Sequence, residues 1–369
     1  MKKLLFGAYS LDIGGIEKAL VMLVNKLQEK KYDITLVLEK KQGIFLNEIN
    51  PKIKIIEYEP SDNKNKIQRK LINLLKRIKF TLKYKNKYDF SASFATYSLP
   101  SSFVARTASK NCYLWGHADY LTLFDGNAEE MKEFFIERNY DKFKKIIFVS
   151  KEGKDSFIKV FPKMKEKTMV CNNLIDADKI LELSKEKIPE EDLSKINKLE
   201  NTQKETTIFI NVGRHQEKQK KLSRLIEAAT MLKKDNMNFK IIFIGDGPET
   251  EEYKKQVKNN QLENNIIFLG KKQNPYPYFK IADCVVLTSD YEGYPVVFLE
   301  SFILEKPIIT TKVSDYKEVE NKYGFVTEKD TNDIYEKMKN FILNGFEIKE
   351  KFDYKKYNEE ILKKIEDLF

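Results

Sequence analysis

Short apolar runs alternate twice along this chain with segments whose apolar residues recur at helical spacing. That alternation restricts it to a parallel α/β architecture. Residues 4–9 read as a strand. Residues 16–27 read as a helix, with Ala19, Leu20, Leu23, Val24 and Leu27 on one face, and 34–38 read as the next strand. Further strands are expected at 90–94, 112–115, 145–149 and 167–170. The pattern then restarts, with strands at 206–212, 239–244, 266–269, 282–287 and 307–310 and a helix at 222–232.

Between the two series, residues 176–205 are highly charged with one proline, Pro189. This is the expected boundary. A first Rossmann-like domain would occupy 1–175, a charged linker 176–205, a second Rossmann-like domain 206–350, and a C-terminal helix 351–369. A chain of 369 residues is long for one core, which fits the division.

Composition narrows the function. No run approaches the roughly 20 apolar residues of a spanning helix. Cys112, Cys171 and Cys284 sit in or beside apolar runs without zinc-type spacing, as expected of reduced core thiols in a cytoplasmic protein. Only His117 and His215 are present, which excludes a His-rich metal site or a multi-histidine mechanism. The pair Asp176 and Asp178 mimics a metal motif but precedes a polar helix, and reads as surface or capping residues.

The net charge of +10 is concentrated. Residues 64–87 carry ten Lys or Arg and no acid, equal to the whole excess. Within them Ile67, Leu71, Leu74, Leu75, Ile78 and Leu82 fall on one helical face. Such a helix suits an anionic membrane surface, or else packs on its domain with a solvated basic rim. No recognition motif accompanies the charge, so nucleic acid is not an expected partner.

The densest chemistry lies at 290–300, Asp-Tyr-Glu-Gly-Tyr-Pro-Val-Val-Phe-Leu-Glu, directly after the strand at 282–287. Pro295 is expected at the first helical position, where its missing N–H costs nothing. Glu292 would lie in the loop beside the amides of Gly293 and Tyr294, with Val296 behind Pro295, and Glu300 more than a turn into the helix. Free amides at a helix start attract anions. Arg214 and Lys220 occupy another strand-to-helix loop of the same half, and parallel strands bring such loops to one edge. Two cations and helix amides suit a diphosphate; two carboxylates suit sugar hydroxyls. In the first half, Gly14-Gly15 follows the first strand and is either a plain turn or a place for backbone to approach a ligand. His117 ends the strand at 112–115, where ligands of parallel sheets gather.

With these residues the chain resembles the retaining glycosyltransferases of family 4, in the group 1 class, over almost its full length. The likeness rests on Gly14-Gly15, Gly213-Arg214 with Gln219-Lys220, and Gly245-Asp246-Gly247-Pro248. It rests above all on Glu292 and Glu300 with seven residues between them. Asn274-Pro275-Tyr276 and Lys306-Pro307 also fit. The resemblance implies the GT-B fold: two Rossmann-like domains facing each other across a cleft, with the C-terminal helix crossing back onto the first.

It further implies a nucleotide-diphosphate sugar donor such as a UDP- or GDP-sugar, held mainly by the second domain. The acceptor would be a glycan or a lipid-linked saccharide of a capsule, exopolysaccharide, lipopolysaccharide or teichoic acid pathway, bound by the first domain. Arg214 and Lys220 would hold the donor phosphates, Glu292 the transferred sugar and Glu300 the ribose. Gly14-Gly15 would approach the donor, and His117 would lie near the reacting side of the sugar. The loop from Arg214 to Lys220 is one residue longer than in many members, so Lys218 and Lys221 stand beside Lys220 as phosphate ligands. No metal or other cofactor is expected. The chain would work in the cytoplasm, at the inner face of the membrane if the basic helix binds there. A non-catalytic sugar-nucleotide-binding partner and a GT-B sugar-nucleotide epimerase are the alternatives.

Overall fold

The computed structural model describes residues 1–12, 14–197 and 206–369. It divides into two compact units, Met1–Ile175 with Lys355–Phe369, and Asp176–Tyr354.

The first unit is built on a seven-stranded sheet: β1 (Lys3–Ala8), β2 (Asp33–Leu38), β3 (Lys54–Glu57), β4 (Phe90–Ser93), β5 (Cys112–Gly116), β6 (Lys145–Phe148) and β7 (Thr168–Val170). Their order is β3-β2-β1-β4-β5-β6-β7, and every pairing is parallel. Order reverses between β1 and β4, so the loops at their carboxyl ends part and leave a crevice edge there. Leu4, Leu5 and Phe6 are fully buried, the signature of a strand covered on both faces.

The second unit repeats the plan with β8 (Thr207–Val212), β9 (Phe239–Ile244), β10 (Ile266–Gly270), β11 (Cys284–Leu287), β12 (Ile308–Thr311) and β13 (Gly324–Thr327). The order is β10-β9-β8-β11-β12-β13, again parallel throughout. Its switch point lies between β8 and β11. The helices Leu222–Lys234 and Thr331–Asn344 pack over this sheet through a core that includes Leu225, Ala229, Met338 and Phe341.

The sequence reading is corrected in several places. Edge strands β3 and β13 were not expected from it. Residues 176–197 of the anticipated linker form two helices, Ala177–Leu183 and Glu190–Asn197, and count with the second unit. Asp192 holds the second of these by accepting from Lys272 and Tyr278. Residues 198–205 of that segment, and Ile13 before the glycine pair, lie outside the described residues. Asp176 caps the first helix by accepting from the Lys179 amide at 3.2 Å.

The terminal helix is Tyr354–Glu366, and from Lys355 onward it counts with the first unit. Ile361, Leu362 and Ile365 are its buried face. Asn358 exchanges two hydrogen bonds with the backbone of Ile175 at 3.0 and 2.7 Å. The Leu368 carbonyl accepts from Asn111 at 2.7 Å and Tyr113 at 3.1 Å. All three cysteines are buried and unbridged.

Candidate functional site

The loops after β8 and β11 are stitched together at the switch point of the second sheet. Asn211, buried on β8, donates to the Val286 carbonyl of β11 at 2.8 Å. The Asp290 amide donates to the Gln219 carbonyl at 2.8 Å. The Thr288 hydroxyl lies 3.0 and 3.1 Å from the carbonyls of Lys220 and Lys221 and shares its proton between them. Arg224 donates to the Thr288 carbonyl at 3.0 Å and pairs with Asp290 at 2.9 Å. The backbone of each loop thereby fixes that of the other, and side chains on them inherit a common frame.

Within that frame Lys220 and Glu292 meet. Lys220 Nζ is 2.6 Å from Glu292 Oε1, with side-chain exposures of 17% and 7%. The same oxygen accepts from Ser289 at 2.7 Å, and Oε2 accepts from Gln219 at 3.3 Å. A carboxylate this buried needs those partners. Lys220 closes a single helical turn, Glu217–Lys220, after which Lys221 takes a left-handed conformation at φ 51°. Glu217 anchors the turn by accepting from Ser223 and from Tyr253, the latter at 2.8 Å. Burial pushes the Glu217 pKa up, but these bonds and Lys221 outweigh it and hold it below the ordinary range. Of the three lysines, Lys220 is the one placed on Glu292. Lys221 pairs with Glu217 at 3.3 Å.

Arg214 is exposed on the same loop. The Gly245-Asp246-Gly247-Pro248 motif lies behind it. A Cβ on Gly245, at φ 145°, would stand 1.8 Å from the Gly213 carbonyl oxygen, and one on Gly247 would stand 2.0 Å from that of His215. Only glycine permits this approach, which is secured by the His215 amide donating to Asp246 at 3.1 Å. His215 itself is buried, with Nδ1 2.8 Å from the Thr250 hydroxyl and its ring among Phe243, Tyr253 and Phe268. Burial lowers its pKa. The motif therefore shapes the Arg214 loop from beneath.

Pro295 is the N-cap of the helix Val296–Ile303 rather than its first residue, one position earlier in role than expected. As proline, it offers no side-chain cap to the helix amides. Ser314 holds the Gly293 carbonyl, and the buried Tyr294 donates to Glu318 at 2.6 Å. Val296 is half-buried at the helix start. Glu300, also half-buried, is engaged separately from the Lys220–Glu292 cluster: Tyr276 donates to its Oε1 at 3.0 Å. Asn274 sets Tyr276 by accepting from its amide at 3.1 Å, while donating to Leu183 and Glu186 at 2.8 Å. Ser289 is the residue sequence reasoning missed, while Gln219 and Tyr276 stood there only as motif residues without a contact assigned. The position of Ser289 at the carboxyl end of β11 was the available signal.

In the first unit Gly14 caps the helix Gly15–Glu29 in an extended conformation, without a side-chain cap. A Cβ on Gly15 would meet nothing within 4 Å, so packing does not demand glycine there. His117 follows β5, its ring 4.5 Å from that of Phe94. Burial pushes its pKa down to about 3, against a small opposing effect from a hydrogen bond with the Phe94 backbone. Its Nε2 is buried without a partner. A ring held neutral by burial keeps one donor and one acceptor nitrogen. Among the described residues no three His, Cys, Asp or Glu gather as a metal site.

Two α/β units, each on an all-parallel sheet, are the plan of the GT-B glycosyltransferases, and the fold is of that class. Residues 192–359 match the family model described as glycosyl transferases group 1. A glycosyltransferase of Methanocaldococcus jannaschii is 31% identical over 166 residues, which is 45% of this chain and 39% of that protein. The chain thus matches well under half the length of that relative. Across 93% of the chain and 90% of its own length, a Campylobacter jejuni protein is 24% identical. That protein is named N-acetylgalactosamine-N,N'-diacetylbacillosaminyl-diphospho-undecaprenol 4-alpha-N-acetylgalactosaminyltransferase. Anabaena HepE, solved with UDP and glucose, superposes with a TM-score of 0.76 over 99% of this chain and 100% of its own, at 18% identity. At that identity the likeness is one of fold.

Proposed function

We propose that this chain is a retaining, family 4 glycosyltransferase. It would move a sugar from a nucleotide-diphosphate sugar, a UDP- or GDP-sugar, to a hydroxyl of a cell-surface glycan or lipid-linked acceptor in the cytoplasm. The observation that carries the reading is the Lys220–Glu292 pair, held at 2.6 Å by two loops that share a switch point. The group 1 match and the relatives' names support the class, and the UDP in HepE supports a uridine nucleotide as the first donor to test.

In this reading the leaving diphosphate gathers charge as the bond to the anomeric carbon breaks. Arg214 and Lys220 stabilise it. Lys220 exchanges Glu292 Oε1 for a phosphate oxygen, and Glu292, still oriented by Ser289, turns that acceptor capacity to a sugar hydroxyl. Glu300 takes the ribose with the oxygen that Tyr276 leaves open. Gly14, Gly15 and His117 keep the roles the resemblance implies. A departing phosphate oxygen takes the proton of the incoming acceptor hydroxyl on the face it leaves, so configuration is retained. The cations supply the charge balance.

Thermal shift against UDP- and GDP-sugars is the test, since ligand bound only by the folded state raises the melting temperature. Stabilisation by one nucleotide class is expected, with transfer from that donor lost in Glu292→Ala. Absence of any shift, or near-wild-type transfer by Glu292→Ala, overturns the reading. An epimerised nucleotide sugar formed without acceptor would make the chain an epimerase.

A further inference from the structure

The basic segment forms the helix Lys66–Tyr84, started by Asn65, whose side chain accepts from the amides of Ile67 and Gln68. One face packs on the first unit. Phe80 is buried against Tyr58, Tyr84 and Phe103 at centroid distances of 5.1, 4.8 and 6.0 Å. Arg77 lies 5.3 Å over the Phe103 ring, and Asn73 accepts from the Ser61 amide at 2.7 Å. At about 100° per residue, Asn73, Arg77, Phe80 and Tyr84 occupy a narrow arc.

The apolar stripe occupies the opposite arc. Ile67, Leu71, Leu74, Leu75, Ile78 and Leu82 are 47–79% exposed. Lys70 borders that stripe on one side, and Lys79 and Lys83 border it on the other. A contiguous exposed apolar strip flanked by cations is unusual on a surface that meets only water. The charge identifies the occupant. Residues 64–87 hold no acid, so a second copy of this helix would set like charges together along its length. A nucleic acid would meet leucines where phosphates should lie. An anionic bilayer supplies both partners: acyl chains for the stripe and headgroup phosphates for the flanks.

We propose that the Lys66–Tyr84 helix is a membrane-surface anchor, lying in the plane of an anionic leaflet with its six exposed apolar side chains in the headgroup boundary. This helix lies apart in sequence from the Lys220–Glu292 site, and its role does not depend on what that site binds.

Flotation of the full chain with vesicles tests it. Equal parts of phosphatidylcholine and phosphatidylglycerol at low ionic strength are expected to carry most of the protein, and phosphatidylcholine alone little of it. High salt is expected to reduce the bound fraction. Leu71→Ser, Leu75→Ser and Ile78→Ser together lower the partition coefficient by roughly tenfold or more. Their side chains are exposed, so circular dichroism and the thermal shift with nucleotide sugars should match wild type. Wild-type protein that stays unbound with the anionic vesicles overturns the proposal, as does a triple variant that binds as wild type. A wild-type dimer converted to monomer by the triple variant, without vesicle binding, would make the stripe a self-interface and also overturn it.

Discussion

Lys220 and Glu292 form an ion pair at 2.6 Å between loops 72 residues apart in sequence. Because Oε1 also takes Ser289 and Oε2 takes Gln219, Glu292 is the hub through which the β8 and β11 loops hold each other. Lys220→Met leaves that carboxylate buried with two neutral donors. It is expected to lower stability in urea unfolding by about 2–4 kcal/mol. Combining it with Glu292→Gln should restore part of the loss, since the uncompensated charge is gone. Equal unfolding midpoints for Lys220→Met and wild type would show that the pair does not secure the loops. Transfer should fall by roughly a hundredfold or more in Lys220→Ala if the lysine also meets the leaving phosphate.

Tyr276 donates to Glu300 at 3.0 Å from a ring that is almost fully buried. Burial and the adjacent carboxylate raise its pKa, so the phenol stays protonated across the neutral range. Tyr276→Phe removes one hydrogen bond to a charged acceptor and frees the Glu300 side chain to rotate. The donor KM is expected to rise about three- to tenfold, with kcat nearly unchanged. A fall in kcat at constant KM would place Glu300 with the reacting sugar instead of the ribose.

How far the sequence foretold this can be read from individual elements. The buried central strands were legible because strands covered on both faces are continuous apolar runs, as in β1 and β9. Strands β3 and β13 were not. Lys54–Glu57 is an edge strand with charged ends, and Gly324–Thr327 is four residues long with half its residues partly exposed. Residues 190–197 read as linker because their own composition is polar. What fixes them is Asp192 meeting Lys272 and Tyr278, contacts from 80 or more residues away. The amphipathic pattern of the basic helix was visible, but periodicity alone does not say which arc faces the core. Phe80 and its aromatic neighbours decide that. At the site, loop position located Arg214, Lys220 and Glu292. Which lysine pairs with the acid depended on the helical turn Glu217–Lys220, which local sequence does not announce.

The Gly245-to-Gly213 approach makes a sharp prediction for a residue that touches no ligand in the proposed mechanism. Gly245→Ala drives a Cβ to 1.8 Å from a carbonyl oxygen at a backbone angle of φ 145°. Neither atom is the end of a flexible chain, so the β8 loop must shift. A loss of about 2–5 kcal/mol is expected, combining overpacking with left-handed strain. Donor-induced thermal stabilisation should weaken alongside it, because the displaced loop carries Arg214. An alanine variant with wild-type stability and donor response would remove the motif from the support of that loop.

His117 gives the first unit a pH dependence whose sign is fixed. Its unfolded imidazole takes a proton near the ordinary 6.5, while burial holds the folded one off until about 3. Between those values the unfolded chain binds more protons, so stability falls as pH drops from 6.5 toward 3 and is insensitive to this group above 6.5. The slope from this one group cannot exceed about 1.4 kcal/mol per pH unit. Carboxylates add their own acid sensitivity, so the measurement is the difference between wild type and His117→Asn, which keeps a polar side chain that does not titrate. Trp115, the only tryptophan, is buried two residues away and reports unfolding of this unit by its fluorescence. The stability gap between wild type and variant is expected to shrink progressively as pH falls below 6.5. If it stays constant, His117 is not held neutral by burial. A neutral ring also predicts that kcat/KM has no limb from this histidine between about pH 5 and 8, and that its contribution there is as a hydrogen-bonding group rather than a proton donor.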